Sequence, residues 1–357
     1  MPAPPADRAP TPPRYELVQA LRALAALTVA FGHIAHDAQA GDRATPGLAR
    51  VLAWLPWDSG VDVFFVVSGF VIAVSSRRLF ATQDGPKQFL VRRLARIVPI
   101  YWAMTLLFLV AATLLPGTVH ANLGGPWYIL AGFLFFPAAR PDGVVQPPLG
   151  LGWTLNDEMF FYLVFAPFLR LPRTPAVLAV AVALGLLVGL GQVATLPGVA
   201  LATWANPLVL EFCAGLLLAL PAGRLVLPGA VRLLLAALAV ALLHLGSPDW
   251  PRVVAAGLPA LLLVAAAGLT RPASGRAHAG LSALSRLGDA SYALYLVHPF
   301  VMRAGDLLWA HLGQPGGVAA YVLASLLVAQ IAALAIHAWF ERPATKAARA
   351  ILTRAVG

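Results

Sequence analysis

The chain has 357 residues, of which 60% are hydrophobic and only 11% are charged, and its formal net charge is +10. Soluble proteins carry about 25% charged residues, and a soluble fold of this length could not bury so much apolar surface. With a single cysteine, the composition excludes a soluble domain, a disordered chain and a disulfide scaffold. The basic residues lie between apolar runs, which argues against nucleic-acid binding. A polytopic membrane protein is predicted.

Residues 1–16 form a segment with six prolines and few apolar side chains, which predicts a disordered N-terminal tail. The apolar stretch that follows, with Ala38-Gln39-Ala40 at its end, resembles a cleaved signal peptide. The Pro-rich segment before it, and the polar His36 and Asp37 beside the cleavage-like site, favour an uncleaved first helix instead.

Ten apolar runs along the rest of the chain predict ten membrane-spanning helices. They cover residues 17–37, 60–76, 95–115, 151–169, 175–197, 203–220, 229–246, 252–270, 287–310 and 318–340. Another run, 127–137, is too short to cross a hydrocarbon core of about 30 Å, so we expect a re-entrant or interfacial segment there. The predicted fold class is an all-α transmembrane bundle over residues 17–345, followed by a basic cytoplasmic tail, 346–357.

The positions of Lys and Arg between these runs predict the orientation of the chain. With a cytoplasmic N-terminus, the inner loops hold most of the basic residues, whereas segments 116–126, 198–202 and 311–317 contain none. Cytoplasmic loops carry the excess of basic residues, so both termini are predicted to be cytoplasmic, in a bacterial-type inner membrane. A crossing at 127–137 would reverse every later loop against this rule.

Ionisable residues inside apolar spans are costly to insert, at about 2.5–3.5 kcal/mol each, and therefore mark functional sites or buried pairs. The candidates chosen within the predicted spans are Arg22, His33, Asp62, Glu158, Glu211 and His298. Counting residues from the span ends places His33, Glu158 and Glu211 in the outer half of the membrane and His298 near its middle. Arg22 lies at the inner boundary, at the depth of Arg93 and Arg96.

Seven short motifs follow one another along the chain. They are LRALAALTVAFGHI (21–34), GVDVFFVVSGFVIA (60–73), FLVRRLARIVPIYW (89–102), GWTLNDEMFFYLVF (152–165), LEFCAGLLLA (210–219), SYALYLVHPFV (291–301) and FERPAT (340–345). In this order and spacing they resemble the membrane acyltransferase 3 family, multi-span O-acyltransferases of surface polysaccharides, lipids and some antibiotics. The resemblance covers residues 15–345.

Two positions depart from the family pattern. Gln19-Ala20 stands where an Asp-Gly pair is common, and Asn156-Asp157-Glu158 replaces the more usual Ser/Val-Glu-Glu. Neither change removes Arg22, His33 or Glu158.

The resemblance implies that His33 is the catalytic histidine. Acyl transfer from a thioester to a hydroxyl needs a base for the hydroxyl proton, and an imidazole suits that role at neutral pH. Glu158 is the carboxylate predicted to orient His33 or to stabilise its charge. The structural alternatives are a buried histidine bonded to a backbone carbonyl, and a glutamate that joins two helices.

The basic residues at the inner boundary predict the donor site. Arg93 and Arg96 share one helix face, and their guanidinium groups suit the phosphates of coenzyme A. Arg22 is a third candidate contact, unless it pairs with Glu341 at the same depth. The alternative is that the arginines are a topology signal with lipid contacts.

Three further residues, Asp62, Glu211 and His298, are predicted to bind substrate. For Glu211 a structural role is equally compatible with the sequence, and Pro299 could simply kink its helix. No set of metal ligands, GxGxxG motif or P-loop occurs in the sequence. We therefore expect neither a metal nor a permanently bound cofactor, with acyl-CoA as a co-substrate.

The sequence thus predicts an integral-membrane O-acyltransferase that moves an acyl group, with acetyl favoured, from cytoplasmic acyl-CoA to a hydroxyl of a glycan, a lipid or a secreted small molecule. A transporter or flippase is the alternative, but the pseudo-symmetric halves typical of transporters are not visible in the sequence. A catalytically inactive sensor is a third reading, which the retained Arg22 and His33 disfavour.

Overall fold

The computed structural model describes residues 15–41, 43–115, 123–247, 249–272, 279–313 and 316–356. Its helices in chain order are α1 Glu16–Ala40, α2 Pro46–Trp54, α3 Gly60–Ser75, α4 Gly85–Leu114, α5 Pro126–Phe133, α6 Trp153–Phe168, α7 Arg173–Val193, α8 Val199–Trp204, α9 Leu210–Ala219, α10 Gly229–Leu245, α11 Leu258–Gly268, α12 Ala279–Asp289, α13 Ser291–His311, α14 Gly317–Ile336 and α15 Arg342–Val356. Beyond helices, the described residues form only two isolated β-bridges. The all-α prediction is confirmed for this part of the chain.

Five helical stretches in the described residues are long and apolar enough to cross a membrane. They are Glu16–Ala40, Trp57–Ser75, Gly85–Leu114, Arg173–Val193 and Gly317–Ala355, with shorter apolar helices at Pro207–Ala219, Gly229–Leu245 and Val253–Gly268. The protein is therefore a multi-pass membrane protein, as predicted. The total of ten crossings stays a prediction.

Two helices extend beyond the apolar runs that predicted them, because polar residues continue the helix. α4 begins at Gly85, with Pro86 in its first turn, ten residues before the apolar run that predicted it, so Arg93 and Arg96 lie within the helix. The basic segment after residue 345 is also helical, since α14 continues through a π-helical turn, His337–Glu341, into α15. α15 packs against α4.

The short run at 127–137 contains α5, a helix of eight residues. At 1.5 Å per residue it is about 12 Å long, well short of the roughly 30 Å needed to cross a hydrocarbon core. The tail predicted at 1–16 lies outside the described residues except for Tyr15 and Glu16. Residues 116–122 and 314–315, in two loops predicted to be extracellular, also lie outside them.

Glycines allow α3 and α9 to pack backbone against backbone. A Cβ atom built on Gly69 would lie 2.1 Å from the Phe212 carbonyl oxygen, and one built on Gly215 would lie 2.0 Å from the Val66 carbonyl oxygen. Such close approach through small residues is the usual way in which membrane helices associate. It fixes α3, which carries Asp62 and Ser68, against α9, which carries Glu211.

α1 lies in the centre of the bundle. It contacts α3, α11, α12, α13 and α14, so two of its ionisable residues, Arg22 and His33, are surrounded by other helices. The two residues are eleven positions apart, which is about 16 Å along a helix. The helix α1 therefore carries ionisable side chains at two different depths in the bundle.

Candidate active site

The first region is a cavity of about 110 Å³ enclosed by α1, α3, α4, α6 and α13, which we call the basic cavity. Its polar lining residues are Arg22, Ser68, Arg93, Arg96, Thr154, Glu158, Tyr162, Ser291, Tyr292 and Tyr295. All three arginines predicted to hold the donor therefore line one cavity. Arg92, their neighbour on α4, is exposed and donates to Gln88 at 3.3 Å instead.

Neighbouring side chains fix two of these arginines. Arg93 donates to Ser75 Oγ at 2.7 Å. Arg22 donates to Gln19 Oε1 and Ser291 Oγ, each at 3.0 Å. The alternative pairing of Arg22 with Glu341 is not formed, since the Glu341 carboxylate binds His337 Nδ1 at 2.8 Å.

Glu158 is the acidic group of the basic cavity. Its Oε1 accepts hydrogen bonds from Ser68 Oγ at 2.6 Å and from Tyr162 OH at 2.5 Å. The predicted pairing with His33 does not form. Trp153, at the start of α6, lies near His33, whereas Glu158 lies five residues further along the helix, which is about 7.5 Å. The depth of Glu158 was counted from the end of the apolar run, and that count does not give the axial position of α6 relative to α1.

The second region is an open cleft of about 850 Å³ on the other side of the bundle, which we call the histidine cleft. Its polar and aromatic lining residues include His33, Asp58, Tyr128, Arg140, Gln146, Trp153, Arg252, Tyr295, His298 and Arg303. The lining thus combines aromatic rings, ionic groups and the amide of Gln146.

Two histidines meet in this cleft. His33 Nδ1 and His298 Nε2 are 2.8 Å apart, and the two rings are nearly parallel, with 19° between their planes. The other ring nitrogen of His298, Nδ1, lies 3.1 Å from the Leu294 carbonyl oxygen. The side chain of His298 is fully buried, whereas that of His33 is partly exposed.

The basic cavity and the histidine cleft are adjacent. Val61 and Tyr295 line both, so these two side chains form the partition between them. Tyr295 OH is held by Thr154 Oγ and by the Leu151 carbonyl oxygen, each at 3.1 Å. The two regions are stacked between the same helices, α1, α3, α4, α6 and α13.

Asp62 and Glu211 lie beneath the cleft and are not among the described residues that line either region. Asp62 is fully buried and makes a two-point ion pair with Arg252, with distances of 3.0 and 2.8 Å. Arg252 also donates to Asp58 at 3.0 Å. The carboxylate of Glu211 packs against Gly257, where a Cβ atom would lie 2.7 Å from Oε1.

These contacts join Asp62 to the histidine cleft through Arg252, which lines it. Arg252 was not selected from the sequence, because it stands alone in a polar loop without a motif. Ser68, Tyr162 and Tyr295 were also missed. Tyr162 carried a usable signal, since it follows Glu158 by one helical turn within the same motif.

Comparison with known proteins shows the family of this chain. The family model described as an acyltransferase domain matches residues 16–336. The exopolysaccharide production protein ExoZ of Rhizobium meliloti is 36% identical over 306 residues, which cover 82% of this chain and 90% of ExoZ. The acyltransferase MdmB of Streptomyces mycarofaciens is 29% identical, over 92% of this chain and 91% of MdmB.

A third relative matches over a shorter stretch. The peptidoglycan O-acetyltransferase OatA of Listeria monocytogenes is 28% identical over 127 residues, which cover 31% of this chain and 19% of OatA. No solved structure gives a significant match.

Proposed function

Because this chain belongs to the acyltransferase 3 family, it is an acyltransferase, and we propose that it transfers an acyl group from a coenzyme A thioester to a hydroxyl of an extracytoplasmic acceptor. Acetyl is the acyl group we favour, since one relative is named as an O-acetyltransferase. The observation that carries the proposal is the stacking of a basic cavity and a histidine cleft between the same five helices.

The basic cavity is proposed as the donor side. Guanidinium groups bind phosphate oxygens through two parallel hydrogen bonds, and Arg22, Arg93 and Arg96 line this cavity. The adenosine phosphates would bind at these three arginines. The narrow pantetheine arm would then extend towards Tyr295 and Val61.

His33 is proposed as the base of the transfer. Its ring would take the proton of the acceptor hydroxyl while the hydroxyl oxygen attacks the thioester carbonyl carbon. The tetrahedral intermediate would collapse with breakage of the C–S bond, and the departing thiolate would take the proton from the His33 imidazolium. The products are an ester and free coenzyme A, and His33 returns to its neutral state.

The histidine cleft is proposed as the acceptor side. A polysaccharide is the acceptor class we favour, because the ExoZ relative is named for exopolysaccharide production. Tyr128 and Trp153 line the cleft and could pack against the apolar faces of a sugar ring, while Arg252 and Gln146 could bind its hydroxyls. A lipid or a secreted small molecule would use the same ester chemistry.

The orientation that fits this reaction places both termini in the cytoplasm of a cell with an inner membrane. The arginines of the basic cavity would then face cytoplasmic acyl-CoA, and the histidine cleft would face the outside. The loops on the basic-cavity side carry the excess of Lys and Arg expected for cytoplasmic loops.

The proposal is tested by mass spectrometry of surface glycans, lipids and secreted metabolites from cells with the gene, without it, and with His33→Ala. We expect ester-linked acyl groups on one acceptor class in wild-type cells alone, because alanine cannot take the hydroxyl proton. Equal expression and membrane insertion of the variant is the control. Normal acylation in His33→Ala cells would refute His33 as the base.

A further inference from the structure

His298 has no role in the transfer described so far. It was predicted to bind substrate, but its side chain is fully buried. Both of its ring nitrogens are occupied, Nδ1 by the Leu294 carbonyl oxygen at 3.1 Å and Nε2 by His33 Nδ1 at 2.8 Å. No ring nitrogen of His298 is left for an acceptor, so its contribution must pass through His33.

The hydrogen-bond network assigns the protons of the two neutral rings. A carbonyl oxygen only accepts hydrogen bonds, so His298 Nδ1 must carry the proton that it donates to Leu294. A neutral imidazole carries one N–H, so His298 Nε2 is an acceptor. His33 Nδ1 must then be the donor, which leaves its other nitrogen, Nε2, with a free lone pair.

This is the tautomer that a base needs. His33 lines the histidine cleft, and its Nε2 is on the ring edge opposite to the nitrogen that binds His298. If His33 carried its proton on Nε2 instead, it could not accept the proton of an acceptor hydroxyl. In serine hydrolases an aspartate sets the tautomer of the catalytic histidine in the same way, and its loss as asparagine lowers kcat by about 10⁴-fold.

The local structure holds His298 in this position. Its neighbours on α13, Leu294 to Val297, are all buried, and its ring lies 6.2 Å from the Tyr295 ring, centroid to centroid. Pro299 follows directly and has no N–H to donate to the carbonyl oxygen of Tyr295. The ring of His298 is therefore fixed from below by its own helix and from the side by Tyr295.

We propose that His298 is a positioning residue for the acyl transfer. It holds His33 with Nδ1 protonated and Nε2 free, and it continues to accept the Nδ1–H bond when His33 becomes an imidazolium. The proposal rests on the proposed role of His33 as the base. Because both ring nitrogens of His298 are occupied and His298 does not line the basic cavity, its loss should lower kcat and leave the KM for acyl-CoA unchanged.

Two amide variants separate this role from a structural one. In His298→Gln the side-chain oxygen reaches the position of Nε2 and can still accept from His33. In His298→Asn the amide reaches only the position of Nδ1, so it keeps the bond to Leu294 and loses the bond to His33. A purely structural role predicts that Asn, which preserves the contact within α13, is the better replacement.

The measurement is acyl transfer or acyl-CoA turnover by the full chain in lipid nanodiscs, with thermal unfolding of each variant as the folding control. We expect kcat to fall about 100-fold in His298→Asn and no more than about tenfold in His298→Gln, since the orienting bond is lost only in the first. Wild-type kcat in His298→Asn, or equal loss in both variants, overturns the inference.

His33→Ala, measured alongside, distinguishes the two proposals. If His33→Ala is inactive while His298→Asn has wild-type kcat, the base assignment stands and the positioning role fails. If His33→Ala is active, the proposed function fails and the inference falls with it.

Nuclear magnetic resonance of the ¹⁵N-histidine-labelled protein in nanodiscs provides a readout without turnover. The His33 signals are identified by their loss in His33→Ala. We expect the Nδ1–H tautomer of His33 in the wild type and a change towards the Nε2–H tautomer in His298→Asn. An Nε2–H tautomer in the wild type overturns the inference.

Discussion

At the scale of single residues, position within a helical turn decides what an arginine does. Arg92, Arg93 and Arg96 lie within two turns of α4, yet Arg93 and Arg96 line the basic cavity, whereas Arg92 is exposed and bonds to Gln88. A topology signal depends only on charge, so all three would be equivalent for that purpose. Phosphate recognition would depend on which of them reaches the cavity.

This difference gives a test of the donor site. In Arg96→Ala we expect acyl-CoA binding to weaken about tenfold to 100-fold, because a charge-assisted hydrogen bond contributes roughly 1.5–3 kcal/mol. Arg96→Lys should restore binding only in part, since an ammonium lacks the planar two-point geometry of a guanidinium. Arg92→Ala, on the same helix and with the same change of charge, is the matched control and should bind as the wild type does.

Acyl-CoA binding is measured in nanodiscs by calorimetry, and the topology of each variant is checked. Equal affinity in the wild type, Arg96→Ala and Arg92→Ala would exclude phosphate recognition by Arg96.

At the scale of elements, contact between α3 and α9 depends on Gly69 and Gly215, each of which faces a backbone carbonyl of the other helix. A methyl group in such a contact cannot be accommodated by turning a side chain, because the neighbouring atoms are backbone. The helices would have to separate, and the pairing of Asp62 on α3 with Arg252 would shift with them.

Gly215→Ala should therefore destabilise the protein by about 1–3 kcal/mol, the usual cost of overpacking. The matched control is Gly189→Ala in α7, where a built Cβ atom meets nothing within 4 Å. There the same substitution should be neutral or stabilise by about 0.4–1 kcal/mol, through the unfolded chain. Thermal unfolding in detergent measures both variants, and an equal midpoint for the two would contradict the packing argument.

The contacts between helices were predicted from the sequence only in part. Apolar runs predicted the helices, because a backbone in lipid must satisfy its hydrogen bonds within a helix. The ionisable residues in the motifs predicted candidates for the site, because such residues are costly in a membrane span unless they have a function or a partner. They did not predict that Glu158 lines one cavity with the arginines and that His33 bonds to His298. Which residues of two helices lie opposite each other depends on helix rotation and axial register, and these are set by contacts such as Gly215 against Val66, far apart in sequence.

At the scale of the whole molecule, the helices α1, α4, α6 and α13 each contribute residues to both the basic cavity and the histidine cleft. α1 supplies Arg22 to one and His33 to the other. A donor and an acceptor could thus approach from opposite faces and meet at the partition formed by Val61 and Tyr295. This arrangement serves transfer across a membrane only if the two faces lie on opposite sides of the bilayer.

Cysteine labelling of intact cells tests that requirement. In a Cys213→Ala background, single cysteines replace four exposed residues: Gln83 and Ala355 on the basic-cavity side, and Val144 and Thr195 on the cleft side. Because basic residues favour the cytoplasm, we expect an impermeant maleimide to label positions 144 and 195 directly, and positions 83 and 355 only after permeabilisation. The loop of position 83 bonds through Ala81 to the turn before α7, and position 195 follows the end of α7, so each serves as the control for the other. Direct labelling of position 355 would place the C-terminus outside, and the arginines of the basic cavity could then no longer meet a cytoplasmic donor.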